Sequence, residues 1–195
     1  MNVHTTPRGQ RHGSESLAAP SHVQPELVAP ETPGARAARY VGAVLRISLG
    51  WIFLWAFLDK LFGLGFATER DASWINGGSP TEGFLSFGTS GPFADAFQGL
   101  AGHTVVDVVF MVGLAGIGLA LMLGIGVRIA AVSGALMMVL MWAAALWPAN
   151  NPFMDDHLVY AGLLVMLALL DSGRTLGLGR LWSGLPLVQR HRWLI

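Results

Sequence analysis

Asn150-Asn151-Pro152-Phe153-Met154-Asp155-Asp156-His157-Leu158-Val159-Tyr160 is the stretch on which the reading of this chain turns. Two carboxylates and an imidazole open a run that is otherwise apolar from Leu158 to Leu170. Ionisable groups at membrane depth are costly, so by default they form a functional-site hypothesis. Other apolar segments carry Asp59-Lys60, His103 and Asp107 at what antiparallel packing predicts to be the same level. The pattern predicts an all-α fold: an integral membrane four-helix bundle with a long structured first extracytoplasmic loop, built around a polar layer.

Composition agrees with that class. Of the 195 residues, 53% are hydrophobic and only 12% charged, against roughly 25% charged in soluble domains. The formal net charge is zero, so there is no basic footprint for nucleic acid. The chain has no cysteine, which excludes disulfides, Cys-ligated metal and thiol redox chemistry on this chain.

Residues 1–36 hold five of the ten prolines and no apolar periodicity. They read as a disordered tail without the apolar core of a signal peptide. The bundle is expected over 37–175, with spans at about 39–62, 104–127, 129–147 and 155–171, joined by a loop over 63–102. In that loop, Ser79-Pro80-Thr81-Glu82 reads as a capping box that starts a short helix carrying Phe84 and Phe87. Phe93, Phe97 and Leu100 mark a second short helix. Gly116, Ala120 and Gly124 read as a small-residue ridge for close helix packing. Residues 176–195 form a cytoplasmic basic tail. Arginines flank the first span (Arg36, Arg39), the second-to-third turn (Arg128) and the last span (Arg174, Arg180, Arg190, Arg192). The positive-inside bias then puts both termini of a multi-pass cell-membrane protein in the cytoplasm.

Spacing places several polar groups on shared faces. Arg46 and Lys60 are fourteen apart, close to a whole number of turns at about 3.6 residues per turn. His103 and Asp107 are i, i+4, and Tyr160 follows Asp156 and His157 at i+4 and i+3. The bland readings are a wet helix start for Asp155 and Asp156 and an interfacial, snorkelling arginine for Arg46. The sharper reading has Arg46, Lys60, Asp107, Asp156 and His157 converge on one cavity. No HxxH or HxxxH spacing supports a metal, and none is expected.

Several short motifs resemble the DoxX/DoxD family of four-span membrane proteins. They are Leu45-Arg46-Ile47-Ser48-Leu49-Gly50 followed by Lys60-Leu61-Phe62-Gly63, then Trp74-Ile75-Asn76-Gly77-Gly78-Ser79-Pro80-Thr81-Glu82-Gly83-Phe84-Leu85, Gly126-Val127-Arg128 and Asp155-Asp156-His157-Leu158. The resemblance covers about residues 40–175. It implies a membrane subunit of a thiosulfate:quinone oxidoreductase that joins two thiosulfates into tetrathionate and passes electrons to quinone, beside a small second subunit. Joining two dianions calls for cations, which Arg46, Lys60, Arg70 and a protonated His103 or His157 would supply. Quinone needs an apolar slot with proton donors or acceptors, for which Trp51, Trp55, Tyr160 and Asp107 are the candidates. The alternative is a non-catalytic membrane scaffold that recruits or assembles soluble redox enzymes.

Overall fold

The computed structural model describes Met1 and residues 31–194. The chain divides into two units, Met1–Glu31 and Thr32–Ile195, and every described helix lies in the second. Most of the tail expected over 1–36 therefore lies outside the described residues. Among those described, the structure is all helical and has no strand, only an isolated bridge between Ser90 and Ala145.

Helix α1 runs from Pro33 to Phe62. The Thr32 hydroxyl accepts the Ala35 amide at 3.2 Å and proline follows at the first helical position. That cap starts the helix ahead of Arg39, where hydropathy alone placed its beginning. Gly63 ends it in the left-handed region. A Cβ there would lie 2.5 Å from the Arg70 Cα, so the chain can reverse at this point only without a side chain.

Helix α2 (Ala94–Gln98) is a short piece of the long connection. Helix α3 (Thr104–Leu123) and helix α4 (Val127–Ala144) are joined by a tight turn with Gly124 and Gly126 both at positive φ. Gly124 stops α3 before the expected Val127, because a left-handed residue cannot continue a helix. Helix α4 stops short of Trp147, and the chain around its end bonds to the loop instead. The Ser90 amide donates to the Ala144 carbonyl at 2.9 Å and its hydroxyl to the Leu146 carbonyl at 2.8 Å. Helix α5 (Asp156–Leu169) has 14 residues, a rise of about 21 Å against a hydrocarbon core of about 30 Å. Helices α6 (Gly179–Ser183) and α7 (Pro186–Arg190) close the chain.

Three helices, α1, α3 and α4, are long and apolar enough to cross a membrane, which supports a membrane protein; α5 is a shorter apolar helix. Helix α1 packs chiefly on α3 and α4 chiefly on α5, with a smaller contact joining α3 to α4. One core cluster draws on all four, with Leu49 and Phe53, Met111 and Leu121, Ala131 and Met138, and Leu164 and Leu167. The close approach of α1 and α3 rests on Gly50 and Gly118. A Cβ at Gly118 would lie 2.7 Å from the Leu54 nitrogen, and one at Gly50 would lie 2.8 Å from the Met122 nitrogen. The ridge expected at Gly116 is thus displaced by half a turn: nothing stands within 4 Å of a Cβ at Gly116.

Candidate functional site

Four polar side chains of the expected layer are committed to the fold, each in its own place. The Arg46 side chain is fully buried. Its guanidinium donates to the Leu121 carbonyl at 2.7 Å and to the Leu176 and Thr175 carbonyls at 2.9 and 3.3 Å. It thereby satisfies carbonyls left open where α3 ends and where the chain turns after α5. Gly177 makes room for it, since a Cβ there would lie 3.0 Å from Nη2. No carboxylate pairs with Arg46 among the described residues, and its Nε has no partner there.

Asp59 is buried one turn from the end of α1. Its carboxylate accepts the Ala67 amide at 2.9 Å and the Phe66 amide at 3.3 Å, folding residues 64–68 back over the helix end. Asp107, a turn inside α3, is buried as well. One of its oxygens accepts the Thr81 hydroxyl at 2.5 Å, the Ser79 hydroxyl at 2.8 Å and the Thr81 amide at 3.2 Å. Ser79 in turn accepts the Glu82 amide at 3.1 Å, the N-cap half of the capping box. The turn it starts becomes π-helical over Phe84–Gly88. Phe84 lines the cleft described below, while Phe87 stays exposed.

His157 sits at the start of α5. Its Nδ1 lies 2.8 Å from an Asp155 oxygen and 3.6 Å from an Asp156 oxygen. These groups come within 4.8 Å of one another, close enough to share a cation, although Asp155 also caps the helix through the Leu158 amide. Tyr160 packs against the core cluster. Arg70 and His103 are exposed.

Lys60 is different. Its ammonium has no hydrogen bond or ion pair within 4 Å among the described residues, and the carboxylate beside it is already engaged by the Phe66 and Ala67 amides. It lies on the walls of two clefts. The smaller, about 320 Å³, is formed by Trp51, Trp55, Ala56, Asp59 and Phe66; the Trp55 ring meets Phe66 edge-on at 5.1 Å and Trp51 at 5.6 Å. The larger, about 580 Å³, runs between α3 and α4. Val105, Val109, Gly113 and Ile117 form one wall at i, i+4 spacing; Ser133, Leu136, Met137 and Leu140 form the other. Pro80, Thr81, Phe84, Leu85, Phe97 and Leu100 close its end. Along α3 the cleft spans Val105 to Ile117, about 18 Å at 1.5 Å per residue.

The five residues expected to share one cavity do not. Arg46 reaches α3 at Leu121, whereas Asp107 lies fourteen positions earlier on the same helix, about 21 Å along its axis. Of the five, only Lys60 lines the two clefts. Arg46 and Asp107 did turn inward and found partners in backbone and hydroxyl groups, whereas Asp156 stays exposed, His157 pairs with the carboxylates beside it and Lys60 has no partner among the described residues. Sequence reasoning placed Asp59 in the polar layer and Thr81 in the capping box without their bonding roles, and it passed over the large cleft. The signal for the cleft is the i, i+4 stripe ending at Ile117 with Gly113 in its midst, where a Cβ would meet the Met137 methyl at 2.7 Å.

No family model matches the chain, and no curated protein or solved structure matches it.

Proposed function

We propose that this chain is a four-span protein of the cell membrane, with both termini cytoplasmic and the 63–102 connection on the outer mouth of the bundle. We further propose that, as a DoxX/DoxD-type subunit, it passes electrons from thiosulfate to quinone. The observation that carries the quinone arm is the apolar α3/α4 cleft with Lys60 among its lining residues. A large apolar pocket with few polar groups is the usual form of a small-molecule site. From the cleft lining the Lys60 ammonium would donate a hydrogen bond to a quinone carbonyl and stabilise the negative charge gained on reduction. The thiosulfate arm rests on the sequence resemblance. Two thiosulfates lose one electron each and join their outer sulfurs in a new S–S bond, giving tetrathionate. The two electrons and two protons from water convert quinone to quinol. A small second subunit is the proposed partner.

A second reading, the non-catalytic scaffold, is favoured by one observation. Arg46, Asp59 and Asp107 hold loops and helix ends together rather than facing a common cavity. Thiosulfate-dependent quinone reduction in membranes containing the chain, with and without Lys60→Gln, separates the two. The catalytic reading expects turnover that the variant loses while its unfolding temperature holds. Absence of both turnover and co-purified quinone in the unaltered protein would leave the scaffold.

A further inference from the structure

The segment after α5 carries an unusual combination of features for a chain end. From Ser172 to Ile195 there are four arginines and no acidic residue. Arg174, Arg180, Arg190 and Arg192 are all exposed, and none has an ion-pair partner among the described residues. Along the same segment Leu181, Leu187 and Trp193 expose 73%, 64% and 65% of their surfaces.

This segment is held firmly in place. Arg46 grips the Thr175 and Leu176 carbonyls, and the Leu178 amide donates to the Leu123 carbonyl at 2.8 Å. Val188 is fully buried, and the Trp182 indole donates to the Leu194 carbonyl at 2.7 Å. The exposed leucines and tryptophan are therefore displayed on a fixed platform beside the end of α3, a helix apolar and long enough to cross a membrane.

We propose that residues 174–194 form a docking surface for the anionic phospholipid headgroups of the adjoining leaflet. Apolar side chains enter the boundary between headgroups and acyl chains, and the arginines pair with phosphates. Charge complementarity selects this partner: a purely apolar contact would not place four uncompensated cations around it, whereas juxtamembrane arginines are drawn to an anionic leaflet. Arginine also pairs with phosphate through two parallel hydrogen bonds. The proposal is independent of quinone chemistry.

Because the chain has no cysteine, Leu187→Cys provides a unique attachment point for a polarity-sensitive fluorophore. The labelled full-length protein is placed in nanodiscs of phosphatidylcholine alone or mixed with phosphatidylglycerol. The expected result is a larger blue shift in the mixed discs, reversed by high salt, which screens such contacts. In Arg180→Gln/Arg190→Gln/Arg192→Gln the difference should vanish, and retention of phosphatidylglycerol by the purified protein should fall about fivefold per arginine removed. The salt arm, read on the unaltered arginines, decides the matter if the triple variant does not fold. Equal emission in both discs overturns the proposal. So does a water-like signal that shifts only when another protein is added, which would assign the face to a protein partner.

Discussion

The Arg46 guanidinium and the Leu121 carbonyl are joined by a 2.7 Å hydrogen bond across 75 positions of sequence. The same guanidinium reaches the Leu176 carbonyl, 130 positions away, so one side chain on α1 ties the end of α3 to the turn after α5. Arg46→Ala should lower stability by about 1–3 kcal/mol for each buried carbonyl it leaves without a donor. Arg46→Lys should recover little of this, because one ammonium cannot replace a planar fork shared among separate carbonyls. Thermal unfolding in detergent reads the loss. Activity per folded molecule should hold in Arg46→Lys, and a selective loss of turnover at unchanged stability would return Arg46 to the chemistry.

Asp107 fastens the loop to α3 through Ser79 and Thr81. Thr81→Val should cost about 1.5–3 kcal/mol, as for a hydrogen bond to a charged group, and Ser79→Ala about 0.5–2 kcal/mol through loss of the cap. Thr81→Val and Asp107→Asn should be non-additive by about 0.5–3 kcal/mol. Hydrogen exchange across residues 79–88 should accelerate in each variant. Independent, additive effects would show that the latch contributes nothing.

Two glycines half a turn apart on α3 should behave oppositely. At Gly118 a methyl group would press on the Leu54 backbone, so Gly118→Ala should destabilise by about 1–3 kcal/mol, as overpacking does. At Gly116 a methyl group meets nothing within 4 Å, so Gly116→Ala should be neutral or stabilising by up to about 1 kcal/mol. Unfolding midpoints of the two variants decide whether the close face of α3 has been identified.

Leu136 stands on the wall of the α3/α4 cleft with 59% of its surface exposed. Leu136→Trp should fill the cleft and reduce quinone co-purifying with the protein, without lowering the unfolding temperature. Val165→Trp, at an exposed position on α5, serves as the control and should change neither. Equal retention in both variants would place any bound quinone elsewhere.

The apolar runs of α3 and α4 were legible because hydropathy and length are local properties. The Ser79 cap was legible for the same reason, its acceptor lying three residues from its donor. The burial of Asp107 could be anticipated from its position a full turn inside an apolar helix. Its partners could not, because Ser79 and Thr81 come from a loop whose path depends on packing. The start of α1 was misplaced by hydropathy and set by Thr32 and Pro33.

Local sequence is enough to specify the long apolar helices and to mark Arg46, Asp59 and Asp107, a turn or more inside them, for burial, while Arg128 and Asp156 at helix starts stay exposed. Leaving a charge in hydrocarbon is too costly at any arrangement of the helices. The partners of those groups follow from packing. Arg46 met carbonyls, which every residue carries and no sequence pattern marks; Asp59 met amides of the loop that folds back after α1; Asp107 met hydroxyls. Lys60, left without such a partner among the described residues, faces the clefts. A buried polar group bonds to whatever donor or acceptor packing brings within about 3 Å, and packing is a property of the assembled helices.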